Sequence, residues 1–522
     1  MEIKVNGNNT PARKEIFFLL LCLLVAFALR FYTFDQRSLW MDEIYTFNDS
    51  RDGLTDQIKF YKENPTYLHP PLFFVLTHLF YPFTNPERDL HIIPLIFGVL
   101  SIPMLYLLSR LFSAGIAVPC TLSLTFMAYH ISLSQDGRSY SLSMFLGMVG
   151  LYFFVKHLKT LRKGYLIPAA LFFALLFHTS YSSIPFILLS QILWFYRIQE
   201  GNERPALSSF FIFNSLLFLF CMPWVIFVAL NYKGAPMMDP FHTEEAGSFW
   251  AMIYGVFHDW VPHFPLMIFS VILLVLFPFL SKNRRNALFL LAFFVLPVAG
   301  LYIFCKLFNV THFVSSRYFI NFLPPFFIAL YLSLNSMEAT FDRLRKFFRL
   351  ELLFCILFIA SNMVILPLYY RSEKQDLRGL VTYLKPQLRK GDKIFVGTPG
   401  DIPGMLHYFG VYPQGRHYEA PAKMDAARKI TVEKSFAYQN STYMIFHSMT
   451  CCAQYVADGS RLWIVVGKFG AKDLRKNSPY VLKGFFDGSF LNFSKFPEDA
   501  SIYLFLWDPK SPEEKGIDMP IE

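Results

Sequence analysis

The chain has 522 residues, of which 54% are hydrophobic and only 16% charged, with a mean hydropathy of +0.36. A soluble protein of this length is more polar, and long apolar runs alternating with short charged clusters are the pattern of a polytopic membrane protein. The net charge of +10 sits mostly in short loops between apolar runs. This placement reads as membrane topology and argues against a nucleic-acid partner.

Apolar runs predict about eleven transmembrane helices, at 15–34, 90–109, 112–130, 139–155, 165–178, 182–196, 207–231, 264–281, 287–306, 317–335 and 349–370. His178-Thr179-Ser180-Tyr181 splits the stretch 165–196 into two short spans. The first run follows Arg13 and Lys14 without a small-residue cleavage site and reads as an uncleaved helix; Arg30 at its end reads as an interfacial anchor. Five cysteines, Cys22, Cys120, Cys221, Cys305 and Cys355, lie in apolar runs as small hydrophobes. The other two, Cys451 and Cys452, are adjacent, and no metal-type spacing exists.

Lys and Arg alternate from loop to loop. One set holds Lys4, Arg13, Lys14, Arg110, Lys156, Lys159, Arg162, Lys163, Arg197, Arg204, Lys282, Arg284, Arg285, Arg343, Arg345, Lys346 and Arg349. The opposite short loops hold little beyond Arg138, Lys233, Lys306 and Arg317. The positive-inside rule therefore puts the N-terminus in the cytoplasm and two large segments outside it. The first is the loop 35–89, within a transmembrane unit of residues 1–370. Its apolar stretch Pro71 to Phe80 is too short to span and is expected in the interface plane.

The second outside segment, 371–522, reads as a soluble α/β domain. Asp376 to Leu388 has helical spacing, and Lys393 to Val396, Arg461 to Val466 and Ser501 to Trp507 have buried-strand character.

Residues able to carry chemistry cluster on the outer side. Asp42 and Glu43, in Leu39-Trp40-Met41-Asp42-Glu43, follow span one, where a carboxylate can take a proton from a hydroxyl. His69 precedes Pro70 and Pro71, and a histidine there can bind a metal or hydrogen-bond a sugar. Ser134-Gln135-Asp136-Gly137-Arg138-Ser139-Tyr140 precedes span four, and Ser316-Arg317-Tyr318 opens span ten. Arg138 and Arg317 run against the charge bias, and two cations on one membrane face suit an anionic lipid phosphate. No Walker, GxGxxG, HExxH or GxSxG element occurs.

These elements, in this order and spacing across most of residues 15 to 335, resemble the GT-C glycosyltransferases that use polyprenyl-phosphate-linked sugars. The protein O-mannosyltransferases, the bacterial lipid A aminoarabinose transferases and their bacterial relatives are the nearest types. The resemblance implies inverting transfer of a sugar from a polyprenyl-phosphate donor to a hydroxyl of a lipid, glycan or protein acceptor. It places Asp42 as the catalytic base, with Arg138 and Arg317 at the donor phosphate. Glu43, His69, Gln135, Asp136, Tyr140 and Tyr318 would contact substrate. The implied location is the bacterial inner membrane, among membrane lipids, with the site and the C-terminal domain extracytoplasmic.

One histidine does not settle metal dependence, so a divalent metal stays open. The outside loop from about Tyr232 to Pro262 is too short for the β-trefoil domain of the eukaryotic mannosyltransferases. A transporter or flippase of lipid-linked sugars is the rival reading. It calls for ionisable groups deep in the spans and for repeated, broken helices. The span centres are nearly free of acids and bases, and the sequence shows no repeat.

Overall fold

The computed structural model describes residues 13–63, 68–195, 205–232, 249–307, 316–340 and 349–411, and within the C-terminal segment 423–424, 430–431, 436–447, 459–476, 479–488, 500–511 and 515–521. Lys4, Arg197, Arg204, Lys233, Arg343, Arg345, Lys346, Cys451 and Cys452 lie outside the described residues.

The chain is a helical body followed by an α/β segment. Helices run in the order α1 (Arg13–Phe31), α2 (Met41–Ser50), α3 (Leu54–Glu63), α4 (Pro71–Thr77), α5 (Pro86–Phe112), α6 (Ala117–Phe126), α7 (Ala128–Leu133), α8 (Tyr140–Thr160), α9 (Leu166–Phe177) and α10 (Ile184–Ser190). Then follow α11 (Leu207–Asn231), α12 (Phe249–Trp260), α13 (Phe264–Leu280), α14 (Arg284–Leu307), α15 (Leu323–Thr340) and a last long helix, Leu350–Arg371.

Among the described residues, five helices are long and apolar enough to cross a membrane: α5, α8, α11, Ser316–Thr340 and Leu350–Arg371. A sixth is added if α12 and α13, bent by 112° at Val261-Pro262-His263, count as one span. The described residues thus hold a mixture of long and short helices, and the count of eleven spans is not reached among them by length and composition. α1 carries Arg13, Lys14, Glu15 and Arg30 within its 19 residues. α9 has 12 residues, a rise of about 18 Å at 1.5 Å per residue, well short of a hydrocarbon core. The stretch Pro71 to Phe80 forms α4 and one 3₁₀ turn, where a short interfacial element was expected.

The third expected span breaks at Met127, whose backbone is extended between α6 and α7. Breaking a helix leaves carbonyls without partners. Arg30 supplies the donors: its guanidinium bonds the carbonyls of Leu124 (3.0 Å) and Thr125 (3.2 Å) and meets His130 Nδ1 at 2.8 Å. On the other side of the break, the Ala128 N–H donates to Asn362 Oδ1 (2.9 Å). Arg30 is 0% exposed, so it is an internal cap for a broken helix rather than an interfacial anchor.

The C-terminal segment holds a six-stranded mixed sheet. The strands are β1 (Asp392–Val396), β4 (Phe436–Gln439), β5 (Tyr443–His447), β6 (Leu462–Val466), β7 (Val481–Phe486) and β8 (Ile502–Trp507), with β2 (Lys423–Met424) and β3 (Ile430–Thr431) forming a separate pair. The order is β4-β5-β1-β6-β8-β7. β1 runs parallel to β5 and β6, and the other pairings are antiparallel. β6 is buried along its whole length, which is why its sequence is an unbroken apolar run rather than an alternating one. Helices Leu377–Leu384 and Ile402–Phe409 cover one face, packing Leu377, Leu380, Met405 and Leu406 onto Ile394 and Trp463.

Candidate active site

The site begins at the first turn of α2. Trp40 is the N-cap residue, and its N–H donates to Glu43 Oε2 at 3.2 Å. This backbone half of a capping box fixes where the helix starts. Asp42 and Glu43 occupy that first turn, where the helix dipole favours negative charge. The turn also sends the two carboxylates in different directions.

Glu43 points inward and is 1% exposed. Its Oε1 accepts from the Gly137 N–H (2.6 Å) and lies 2.7 Å from His91 Nε2. His91 Nδ1 sits 2.5 Å from the Phe34 carbonyl, which can only accept. Both ring nitrogens therefore face acceptors, an arrangement that suits an imidazolium. Burial pushes the Glu43 carboxyl up, but His91, Lys374 and the Gly137 N–H outweigh it and hold it well below the usual carboxylate range.

Asp136 is 3% exposed. It accepts from Trp40 Nε1 (3.2 Å) and pairs with Lys374 Nζ (3.0 Å). Burial, the largest influence, leaves its carboxyl raised despite Lys374. Gln135, 1% exposed, donates to the carbonyls of Arg30 (2.8 Å) and Tyr32 (2.6 Å) and accepts from the Tyr369 hydroxyl (2.9 Å). Glu43, Gln135 and Asp136, expected to contact substrate, are thus engaged by the protein itself and form the wall behind the site.

Asp42 faces the other way, with 21% of its side chain exposed. Its Oδ2 lies 3.6 Å from Arg317 Nη1. Arg138 approaches from the turn before α8, donating to the Asp42 carbonyl (3.2 Å) and to Thr46 Oγ1 (2.9 Å). The tight turn that delivers it is closed by the Arg138 N–H on the Asp136 carbonyl (2.6 Å). The Arg317 guanidinium lies 5.0 Å from the Trp40 ring centroid, 5.8 Å from Tyr140 and 5.9 Å from Tyr318. His69 is half-buried and stacks on Phe74 at 5.9 Å. Burial, together with Arg138, lowers its pKa to about 4 against the opposing pull of Asp42. It is therefore a neutral hydrogen-bonding group at physiological pH.

The structure thus brings Asp42, His69, Arg138, Tyr140, Arg317 and Tyr318 to one place, with one carboxylate set against two guanidinium groups and an aromatic surround. Such a cluster can accept a proton at Asp42 and hold an anion on the arginines. Among the described residues, no three His, Cys, Asp or Glu side chains converge to hold a metal ion.

Sequence reasoning missed five contributors. His91, Lys374, Gln375 and Tyr408 reach the site from distant parts of the chain. Asp259 at the end of α12 accepts from Ser316 Oγ, which also lies 2.8 Å from the Tyr129 hydroxyl, so a buried polar chain backs the residue beside Arg317. Only position in three dimensions singles these out; in sequence they are isolated polar residues.

No family profile matches the chain, and no curated protein matches it. Solved structures do. The chain is similar to ArnT from Cupriavidus metallidurans in the apo state, at 12% identity and a TM-score of 0.53, over 94% of this chain and 97% of that one. The same protein bound to undecaprenyl phosphate matches at 11% identity and a TM-score of 0.50, over 94% and 98% of the two chains. The chain therefore shares the fold of these two ArnT structures.

Proposed function

We propose that this protein is a membrane glycosyltransferase that moves a sugar from a polyprenyl-phosphate donor to a hydroxyl of a lipid, glycan or protein acceptor, with inversion at the anomeric carbon. The observation that carries the reading is the convergence on Asp42 of Arg317, beside its carboxylate, and Arg138, on its backbone carbonyl. The fold it shares with an undecaprenyl-phosphate-bound ArnT supports a donor of that class.

The donor phosphate docks on Arg138 and Arg317 by charge-assisted hydrogen bonds. Asp42 accepts the proton of the acceptor hydroxyl as its oxygen attacks the anomeric carbon. The bond from that carbon to the phosphate oxygen breaks, and the lipid phosphate leaves with the electron pair. The arginines stabilise the charge that develops on it. Neutral His69 donates or accepts a hydrogen bond at the sugar, and the Tyr140 and Tyr318 rings line its surroundings. In this reading the face and the C-terminal segment are extracytoplasmic, on a bacterial inner membrane; the loop charges support the orientation.

Binding of undecaprenyl phosphate to the purified protein tests the assignment. Arg138→Ala and Arg317→Ala should each weaken it by about 2–5 kcal/mol, the loss when one partner of a desolvated charge pair is removed. Lys in place of either should restore only part, because the planar fork is gone. Unchanged affinity in both alanine variants would place the phosphate elsewhere.

A further inference from the structure

The approach to α2 raises an accounting question. Ser38, Leu39, Trp40 and Met41 lead into the helix, and their four backbone N–H groups each need an acceptor when buried. One finds it locally, in the Trp40-to-Glu43 bond. The other three find acceptors in the C-terminal segment. The Ser38 N–H donates to Glu373 Oε2 (3.0 Å), the Leu39 N–H to the Tyr408 hydroxyl (2.7 Å) and the Met41 N–H to Gln375 Oε1 (3.1 Å).

Lys374, between two of these acceptors, sends its ammonium to Asp136 and over the Trp40 ring at 5.5 Å. Three successive residues after the last long helix thus grip one four-residue stretch from its flank. The grip is itself braced. Gln375 Nε2 donates to Asp401 Oδ1 (2.6 Å), and the Tyr408 hydroxyl donates to Glu87 Oε1 (3.2 Å). The turn holding Gly400 approaches so closely that a Cβ there would stand 2.5 Å from Met41 Sδ. Met41 is the first residue of α2, and Asp42 is the next.

We propose that the C-terminal segment is a working part of the active site, with Lys374, Gln375 and Tyr408 as positioning residues that set the direction of Asp42. The inference rests on the transferase reading for its kinetic consequence only. The backbone N–H groups fix the axis and the first turn of α2, and Lys374 fixes Trp40 and Asp136 beneath it. The direction in which Asp42 faces Arg317 follows from both. A segment that served only to bind an acceptor would have no need to supply acceptors to this stretch.

The experiment uses the full chain in lipid nanodiscs, with a lipid extract of its own cells as the donor source. Two readouts are taken: amide hydrogen exchange in peptides covering residues 38–50, and transfer turnover across pH. Tyr408→Phe removes a single hydroxyl and is the least disruptive variant. Gln375→Leu removes the brace, and Lys374→Met is set against Lys374→Arg.

Tyr408→Phe and Gln375→Leu should speed exchange of the leading amides by about five- to tenfold, the fold-change of one lost hydrogen bond. Turnover should fall at least about tenfold, as a small misplacement of a reacting group does. Undecaprenyl phosphate affinity should stay unchanged, and Lys374→Arg should recover turnover that Lys374→Met loses. Unaltered exchange at residues 38–50 in both Tyr408→Phe and Gln375→Leu overturns the inference. So does faster exchange with turnover within about twofold of the parent, since geometry at the base would then not matter. If the parent protein transfers nothing, the transferase reading fails, and the exchange measurement still decides whether the segment holds α2.

Discussion

Replacing Glu43 by Gln changes little in volume but much in the wall of the site. The carboxylate serves three donors with two oxygens: the Trp40 N–H on one, and the Gly137 N–H and His91 Nε2 on the other. A glutamine has one acceptor oxygen. If that oxygen keeps Gly137 and His91, its amide N–H₂ meets the Trp40 N–H, and a buried donor goes unsatisfied at a cost of about 1–3 kcal/mol. The ionic attraction to His91 is lost as well, and breaking a buried pair by removing one charge costs about 3–5 kcal/mol in all. The pair is almost fully shielded, at 1% and 2% side-chain exposure, so solvent does not dilute this figure. Equilibrium unfolding in detergent at neutral pH measures it, together with His91→Gln and the double variant. The double variant should lose less than the sum of the two single losses, because each single change strands the other partner. A loss below about 1 kcal/mol with no coupling would refute a charged Glu43–His91 pair. The stabilisation belongs to an acid whose folded pKa is depressed. It is present above the ordinary carboxylate pKa and is lost as pH falls below it.

Asp401 titrates in the opposite sense. Burial raises its carboxyl to about 6 against the pull of Gln375 and Thr398, so the folded state holds the proton more tightly than the unfolded one. Its contribution is present at low pH and lost as pH rises through 6. Asp401→Asn should therefore be more stable to unfolding than the parent at pH 8 by up to about 3 kcal/mol, with the gap closing below about pH 4; an equal gap at both pH values would contradict this. A reporter fused after Glu522 should be active only as an extracytoplasmic fusion, as the loop charges require; activity of a cytoplasm-only reporter there would reverse the orientation.

Periodicity and loop chemistry made several elements legible. The unbroken apolar run at Leu462 to Val466 is β6, buried along its whole length, because a strand covered on both faces must be apolar throughout; the run at Lys393 to Val396 is β1, whose burial alternates along the strand. The short run after Pro70 and Pro71 is α4, since two prolines suit a helix start and ten residues do not span. Asp42, Arg138 and Arg317 stood out because charge at the outer end of a span is costly and rare.

Hydropathy could not say which apolar runs cross fully. The break at Met127 depends on Arg30, 95 residues from Thr125 in the chain, delivering donors to freed carbonyls. The direction of each carboxylate was equally hidden. Asp42 and Glu43 are neighbours in a polar loop, and only His91, 48 residues beyond Glu43, shows that Glu43 is an internal pillar. Glu373 and Gln375 carry no signal in the sequence, because the amides that donate to them lie more than 330 residues earlier.

The central claim is that Asp42 is the base, and Asp42→Asn tests it most directly. The amide keeps the size and polarity of the side chain and its place in the first turn of α2, but it cannot take the proton from the acceptor. A positioned general base contributes about a hundred- to ten-thousand-fold in rate. The variant should fold, bind undecaprenyl phosphate as the parent does, and lose turnover by that factor, since the base acts in the transition state. Near-normal turnover in Asp42→Asn at matched expression would contradict the account.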